Sequence, residues 1–218
     1  VISVVSIFRD STGYIDRYID QVGALEDVLG EPVRLVLAEG DSADDTFDKL
    51  EMCTRAGDEL FKIDHGGPRY GSVEKVERWR QISYVCNALM GHLRPDGPVI
   101  YVESDLMWVP RTMVTLLEDL EDVPAVAPLS LRGDVFYDTW GHRGIDGVRF
   151  RKREPYHADL IHLAPLVEIG SAGSCVAMRP DVAKLARWGD DDAMVGLGRS
   201  IRERFTLWLD KRVKVHHP

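Results

Sequence analysis

An apolar run, Val99-Ile100-Tyr101-Val102, ends on Glu103-Ser104-Asp105 and so delivers two carboxylates where a buried strand should stop. Alternate residues of an extended segment point the same way, so Glu103 and Asp105 can face one hard cation or one polyol together while Ser104 faces elsewhere. Apolar β-type runs are buried, and their carboxyl ends border the crevice in which open α/β sheets bind ligands. A plainer role is open to both acids: Asp105 as a cap on the segment that begins at Pro110, and Glu103 as a solvated strand end.

Three further groups carry chemistry. Glu39-Gly40-Asp41-Ser42-Ala43-Asp44-Asp45-Thr46 follows a second apolar run; Glu39 and Asp41 could accept hydrogen bonds from a base or ribose, while Ser42 and Asp44 suit a helix start. Arg78 and Arg80 sit on a helical stretch that leads into the acid-bearing strand, where a diphosphate would need cations, although helical arginines are more often solvated. His216 and His217 follow the last apolar run, and an imidazole beside Glu103 and Asp105 would complete a mixed nitrogen and oxygen site for manganese or magnesium. Because His216 directly continues Val213-Lys214-Val215, it is favoured as the ligand over His217. Acid-x-acid after a strand, with these companions, suggests a nucleotide-sugar site.

The elements that must position these groups follow from periodicity. Val1 to Phe8 reads as a strand, and Ile15, Tyr18, Ile19, Val22, Leu25, Val28 and Leu29 give the helix after it. Val33 to Ala38 is a second strand, and Asp41 to Thr46 opens a helix that reaches about Ala56. Leu60 to Ile63 is a short strand, His65 to Gly71 a Gly/Pro loop, Val73 to Leu93 a long helix and Val99 to Val102 the fourth strand. Pro110 to Leu120 is helical and Ala125 to Leu129 is the fifth strand. Ser130 to Ala158 lacks periodicity and is rich in Gly, Arg and aromatic residues, as expected of a functional or mobile loop over 130–160. Ser174 to Met178 is a strand, Pro180 to Ala186 and Asp191 to Arg204 are helices, and Val213 to Val215 is a last short strand. The alternation predicts an α/β fold, a single domain with a mostly parallel central sheet flanked by helices and a mixed second half.

The 218 residues suffice for one such domain with a substantial core, and no Pro/Gly/Ser-rich linker divides them. A formal charge of -9 argues against an extended phosphate-tracking surface, so nucleic acid is not the default partner. Cys53, Cys86 and Cys175 lack metal or disulfide-scaffold spacing and read as free thiols in a reducing, cytoplasmic compartment. No run approaches a transmembrane length, and Val1 to Phe8 lacks a basic leader; an anchor upstream of Val1, which is not a Met, would be invisible here.

Phe8-Arg9-Asp10-Ser11, Glu39 to Thr46, Glu103-Ser104-Asp105, Phe136-Tyr137-Asp138-Thr139-Trp140 with Arg143 and Asp146-Gly147, and Gly170 to Ser174 occur in the order seen in GT-A glycosyltransferases. Over nearly the whole chain the sequence resembles fungal capsule-type α-1,3-mannosyltransferases and, more loosely, mannan-polymerase mannosyltransferases. The resemblance implies transfer of a hexose, mannose or glucose, from a GDP- or UDP-sugar, with a divalent Mn2+ or Mg2+ on the diphosphate. It implies a nucleotide-sugar half over 1–105 and an acceptor-side half over 106–218. Carried over by residue, Asp105 is the metal ligand with a late histidine assisting, and Glu103 is a sugar or ribose contact near the chemistry. Ser6, Phe8, Arg9, Glu39 and Asp41 become nucleotide contacts. Tyr137, Asp138 and Trp140, with Ser171, Ala172 and Gly173, become the sugar or acceptor pocket. The chain departs from the family in being shorter, without the N-terminal anchor, and in carrying Glu103 where Asp is more usual.

Within Asp190-Asp191-Asp192, Asp191 or Asp192 would be the general base if the reaction inverts the anomeric centre. If it retains, as the nearest family implies, the departing phosphate takes the proton on the same face. These acids could equally be the favourable first turn of a helix. Two other functions compete. A nucleotidyltransferase would normally show a Gly-rich basic signature after the first strand, which Phe8-Arg9-Asp10-Ser11-Thr12-Gly13 matches poorly. A catalytically inactive sugar- or nucleotide-binding module would bind without turnover. The acceptor stays open between glycan, glycolipid, protein and modified nucleic acid; Arg149, Arg151, Lys152 and Arg153 make a basic cluster beside the aromatic loop that could meet an acidic acceptor, although a solvated basic loop explains it more simply.

Overall fold

Ten strands form one sheet in the computed structural model, which describes residues 1–71, 74–161 and 164–218. β1 (Ser3–Phe8), β2 (Arg34–Glu39), β3 (Glu59–Lys62) and β4 (Val99–Val102) lie in the order β3-β2-β1-β4, every pair parallel. The sheet continues through β9 (Cys175–Met178), β5 (Ala125–Arg132), β10 (Leu207–His216), β8 (Leu166–Ser171) and β7 (Arg143–Gly144), while β6 (Val135–Phe136) pairs with β5. β9 runs against both β4 and β5, and β10 is parallel to β5, so the long strands keep one direction and β8 and β9 reverse it. The result is the mixed α/β single domain expected, with the mixed pairing confined to the second half.

Strand alternation divides the core between the two faces of the sheet. Val5, Val36, Val99 and Tyr101 meet Trp79, Cys86 and Leu89 of α3 (Val76–His92) and Met194, Leu197 and Ile201 of α6 (Ala193–Arg202). Val4, Leu35, Leu37, Ile100 and Val102 meet Ile15, Tyr18, Val22 and Leu25 of α1 (Ile15–Leu29), Leu50 of α2 (Thr46–Cys53) and Met113 and Leu116 of α4 (Pro110–Asp119). β4 is buried on both faces, which is why its sequence is continuously apolar.

Several boundaries differ from expectation for local reasons. α2 begins at Thr46 because Asp41 takes a positive φ of 57° and the Asp44 carboxylate accepts hydrogen bonds from Thr12 and Thr46. α6 begins at Ala193 because Asp192 is its N-cap, accepting the Val195 N–H at 3.3 Å. α5 (Pro180–Ala183) stops short of Ala186. The start of the long helix at Val73 lies outside the described residues. β8 was not expected from the sequence, and β10 is far longer than Val213–Val215. The segment after β5 adds to the core on the α3 and α6 face, where Phe136, Phe150 and Tyr156 pack with His142 and His157.

β10 is tied to α4 by a buried acid pair. Asp210 is fully buried and Asp119 is nearly so, and the Arg212 guanidinium serves both, at 2.6 Å from Asp119 and 2.9 Å from Asp210. Burial and the neighbouring Asp210 push the Asp119 carboxyl up to about 6. The native state therefore binds a proton there that the unfolded chain releases at its ordinary carboxyl pKa, so this contribution to stability falls as pH rises from about 4 to about 6. Asp119→Asn removes that dependence. Denaturant melts of both proteins should show the wild type losing stability relative to the variant across that window; parallel pH profiles would refute it.

Candidate active site

Where β4 ends, the chain is pinned from three sides. The Glu103 N–H donates to the Ser174 carbonyl at 2.9 Å, and Arg17 of α1 donates to the Asp105 carbonyl at 2.6 Å. Met107 and His216 then exchange backbone hydrogen bonds of 2.7 and 2.8 Å, and the His217 N–H donates to the Leu131 carbonyl at 2.8 Å. The tail of β10 thus lies beside the acidic turn. His217 Nδ1 comes within 3.6 Å of Asp105 Oδ2, and the ligand atoms of Glu103, Asp105 and His217 all fall within 4.8 Å of one another. The sequence favours His216, but the structure brings His217 to the acids. Neighbouring residues of an extended chain face opposite ways, and His216 lines a separate cavity with Met107 and Trp108.

The triad's electrostatics suit a cation. Burial, then the Asp105 carboxylate, push Glu103 up to about 7, with His217 and Arg78 pulling the other way. Burial works against an imidazolium at His217, but Asp105, Glu103 and Asp138 outweigh it and raise its pKa. The Tyr137 ring rests on the His217 ring with centroids 3.8 Å apart. His217 Nε2 is buried with no hydrogen-bond partner among the described residues. Two carboxylates and one imidazole, whose Nε2 has no partner among the described residues, fit a divalent manganese or magnesium ion.

A cavity of about 290 Å³ opens above Glu103 and Asp105, walled by Phe8, Arg9, Tyr70 and Arg78. Arg9 is held by the His65 Nε2 at 3.1 Å and the Gly67 carbonyl at 3.2 Å. Arg80, two residues and about 200° further round α3, lines a different cavity with Tyr84 and Asp190. Ser6 lies beneath the floor, fully buried, bonded to the Tyr18 hydroxyl and the Val102 carbonyl. Glu39 is buried and accepts the Ser42 N–H at 3.0 Å. Asp41 accepts the His65 and Gly66 N–H groups at 2.7 and 3.1 Å, so it shapes the loop over the cavity. Gly40 is bare for a reason: a Cβ there would stand 1.9 Å from the Ile63 carbonyl oxygen.

The loop residues assemble around Asp138. Its carboxylate accepts the Gly141 and Ser174 N–H groups at 3.0 and 3.1 Å and stands 3.3 Å from His142 Nδ1. Burial opposes its ionisation, yet His142 and the two N–H groups prevail and bring it down to about 2. A Cβ on Gly141 or Gly173 would sit 2.8 or 2.7 Å from that carboxylate, so both glycines make room for it. Ser171 and Ala172 are fully buried, with Ser171 donating to the Gly141 carbonyl at 2.6 Å. Tyr137 and Trp140 line a second cavity next to Asp138.

The two candidate bases are both engaged. Asp191 is exposed and 3.5 Å from Arg199, and Asp192 caps α6 and lies 3.4 Å from Arg143. Burial raises the Asp192 pKa against the pull of the Val195 N–H and Arg143. Arg17, which fixes the Asp105 backbone, escaped the sequence reading because nothing marks it among the polar residues of an amphipathic helix. Arg69, in the loop that follows β3, carries no sequence signal either; its guanidinium sits 3.0 Å from Asp10 at the cavity rim.

No protein-family model and no curated protein sequence matches the chain. Solved structures do. A mannosyltransferase from Pyrobaculum calidifontis in complex with GDP-Man and Mn2+ superposes with a TM-score of 0.63 at 14% identity, over 99% of this chain and 56% of its own. GalNAc-T7 with UDP, GalNAc and Mn2+ gives 0.61 at 13% identity, over 100% of this chain and 43% of its own. Glucosyl-3-phosphoglycerate synthase from Mycobacterium tuberculosis, with Mn2+ and UDP, gives 0.56 at 18% identity, over 100% of this chain and 70% of its own. The chain thus spans little more than half the length of the first of these, and less than half of the second. At such identities the likeness is one of fold: this chain has the mixed α/β fold of GT-A glycosyltransferases.

Proposed function

We propose that the chain is a divalent-metal-dependent glycosyltransferase that moves a hexose, mannose or glucose, from a GDP- or UDP-sugar to an acceptor hydroxyl with retention. The observation that carries this reading is the Glu103, Asp105 and His217 cluster at the carboxyl end of β4, opening into the cavity that Arg9 and Arg78 line. Mn2+ with GDP-Man or UDP in the similarly folded enzymes supports the same cofactor and donor class here. Residues 1–105 hold the nucleotide and 106–218 the acceptor. The three free cysteines fit a cytoplasmic setting, and among the described residues no helix is long and apolar enough to cross a membrane.

Cleavage of the sugar-phosphate bond builds negative charge on the departing diphosphate. A divalent ion on Asp105 and His217, when bound, supplies several kcal/mol of charge stabilisation to that group. Arg9 and Arg78 bring fixed positive charge to the same cleft, and Tyr137 holds the His217 ring in place. Glu103 faces the sugar or ribose. With Asp192 engaged as a helix cap and Asp191 turned to Arg199, the acceptor's proton goes to the departing phosphate on the same face of the sugar, which favours retention.

Two measurements test this. In calorimetry the protein should bind Mn2+, and Asp105→Asn and His217→Ala should each weaken binding by about 10-fold or more; unchanged affinity in both variants would overturn the metal site. Incubated with Mn2+ and a panel of GDP- and UDP-linked mannose and glucose, the protein should consume one donor and release a sugar or glycoside whose anomeric configuration, read by NMR, matches the donor's. The opposite anomer would return the base to Asp191 or Asp192, and no binding of any donor by folded protein would sink the transferase reading.

A further inference from the structure

A second cavity, about 500 Å³, adjoins the metal cluster. Tyr137 is the shared wall: it lines this cavity while its ring lies tilted against that of His217. Trp140 supplies a half-buried aromatic side chain, and Phe136 a fully buried apolar one. Val135 and Thr139 complete the neutral lining, and three charged residues remain. Asp138 is there, but its carboxylate is taken up by the Gly141 and Ser174 N–H groups and by His142. Arg132 and Lys152 are there too, and among the described residues neither side chain makes a hydrogen bond or an ion pair. Both are exposed, as are Arg151 and Arg153 on either side of Lys152. In the same segment Arg143 and Arg149 have found Asp192 and Glu74.

The two free cations are mounted on paired backbone. Arg132 ends β5 opposite Val135 of β6, across a two-residue turn whose Gly133 has a φ of 58°. The Phe136 N–H donates to the Lys152 carbonyl at 3.0 Å, which sets Lys152 alongside β6. An aromatic surface flanked by two unpaired cations suits a ring or polyol that bears a dianion, since phosphate answers both charges while a neutral sugar leaves them unmatched.

We propose that this cavity is the acceptor subsite and that the acceptor is a phosphorylated sugar or polyol, its carbon skeleton on Trp140 and its phosphate between Arg132 and Lys152. This rests on the transferase reading. The acceptor hydroxyl oxygen bonds to the anomeric carbon as the bond from that carbon to the donor's phosphate oxygen breaks, and the hydroxyl proton leaves with the nucleoside diphosphate.

The test is calorimetric binding to protein saturated with Mn2+ and either GDP or UDP. The probes are glucose, glucose 6-phosphate, inorganic phosphate, and phosphatidylcholine vesicles with and without phosphatidic acid, a lipid phosphomonoester. Glucose 6-phosphate should bind at least about 10-fold more tightly than glucose, inorganic phosphate should compete with it, and the Arg132→Gln/Lys152→Gln double variant should lose the difference while keeping its unfolding midpoint. Binding to phosphatidic acid vesicles alone, lost in the double variant, would support the same subsite with a lipid-borne phosphomonoester. No preference for phosphate, or a preference that survives the double variant, overturns the proposal. The two readings fail separately: loss of the phosphate preference with Mn2+-dependent GDP or UDP binding intact removes only the acceptor subsite, whereas absence of nucleotide binding removes the transferase reading itself.

Discussion

The reciprocal backbone pair between Met107 and His216 is the constraint on which the site depends. It joins the turn after β4 to the end of β10, segments separated by half the chain. Neither side of it carries the chemistry. Its effect is to fix the parity of the tail, so that His216 turns to one side and His217 to the acids. Every strand between β4 and β10 in the sheet must be in register before these two ends can meet, which makes the site a product of the finished sheet and not of any local motif.

Around this clamp the protein holds like charges close and answers them in different ways. Glu103 and Asp105 share one space at a strand end and lean on His217. Asp119 and Asp210, at the opposite side of β10, share Arg212 instead. The first pair opens to a cavity while the second is sealed between α4 and the sheet, and that difference separates a place for a ligand from a structural tie. Asp138 illustrates a third solution: two backbone N–H groups and a neighbouring histidine hold it as a buried anchor.

Much of the first half was legible because each βα unit carries its own signal. Val99 to Val102 is apolar on both faces, and the acids that follow it had nowhere to go but the sheet edge. The choice of histidine was not legible: between Asp210 and Lys214 β10 carries three extra residues against β5, and an odd displacement reverses which neighbour points inward. β8 escaped notice although its alternating burial is visible in Leu166 to Ser171, because the Gly-Ser-Ala-Gly run that follows reads as loop. The aromatic cluster of Phe136, Phe150 and Tyr156 was hidden for another reason, since its members come from stretches with no shared period. The roles of Asp41 and Asp192 as loop and helix organisers depend on backbone geometry that residue types alone leave open.

The glycines facing Asp138 have a consequence for how such a chain can diverge. Gly141 and Gly173 leave the carboxylate its space, and any side chain at either position would displace the group that staples the loop to the start of β9. Anchor and vacancies are therefore one unit of inheritance, changeable only together. Arg132 and Lys152 stand on the same frame without pairing to it, whereas Trp140 packs against the core and Trp79. A lineage can revise the two cations one at a time while the frame that carries them stays still.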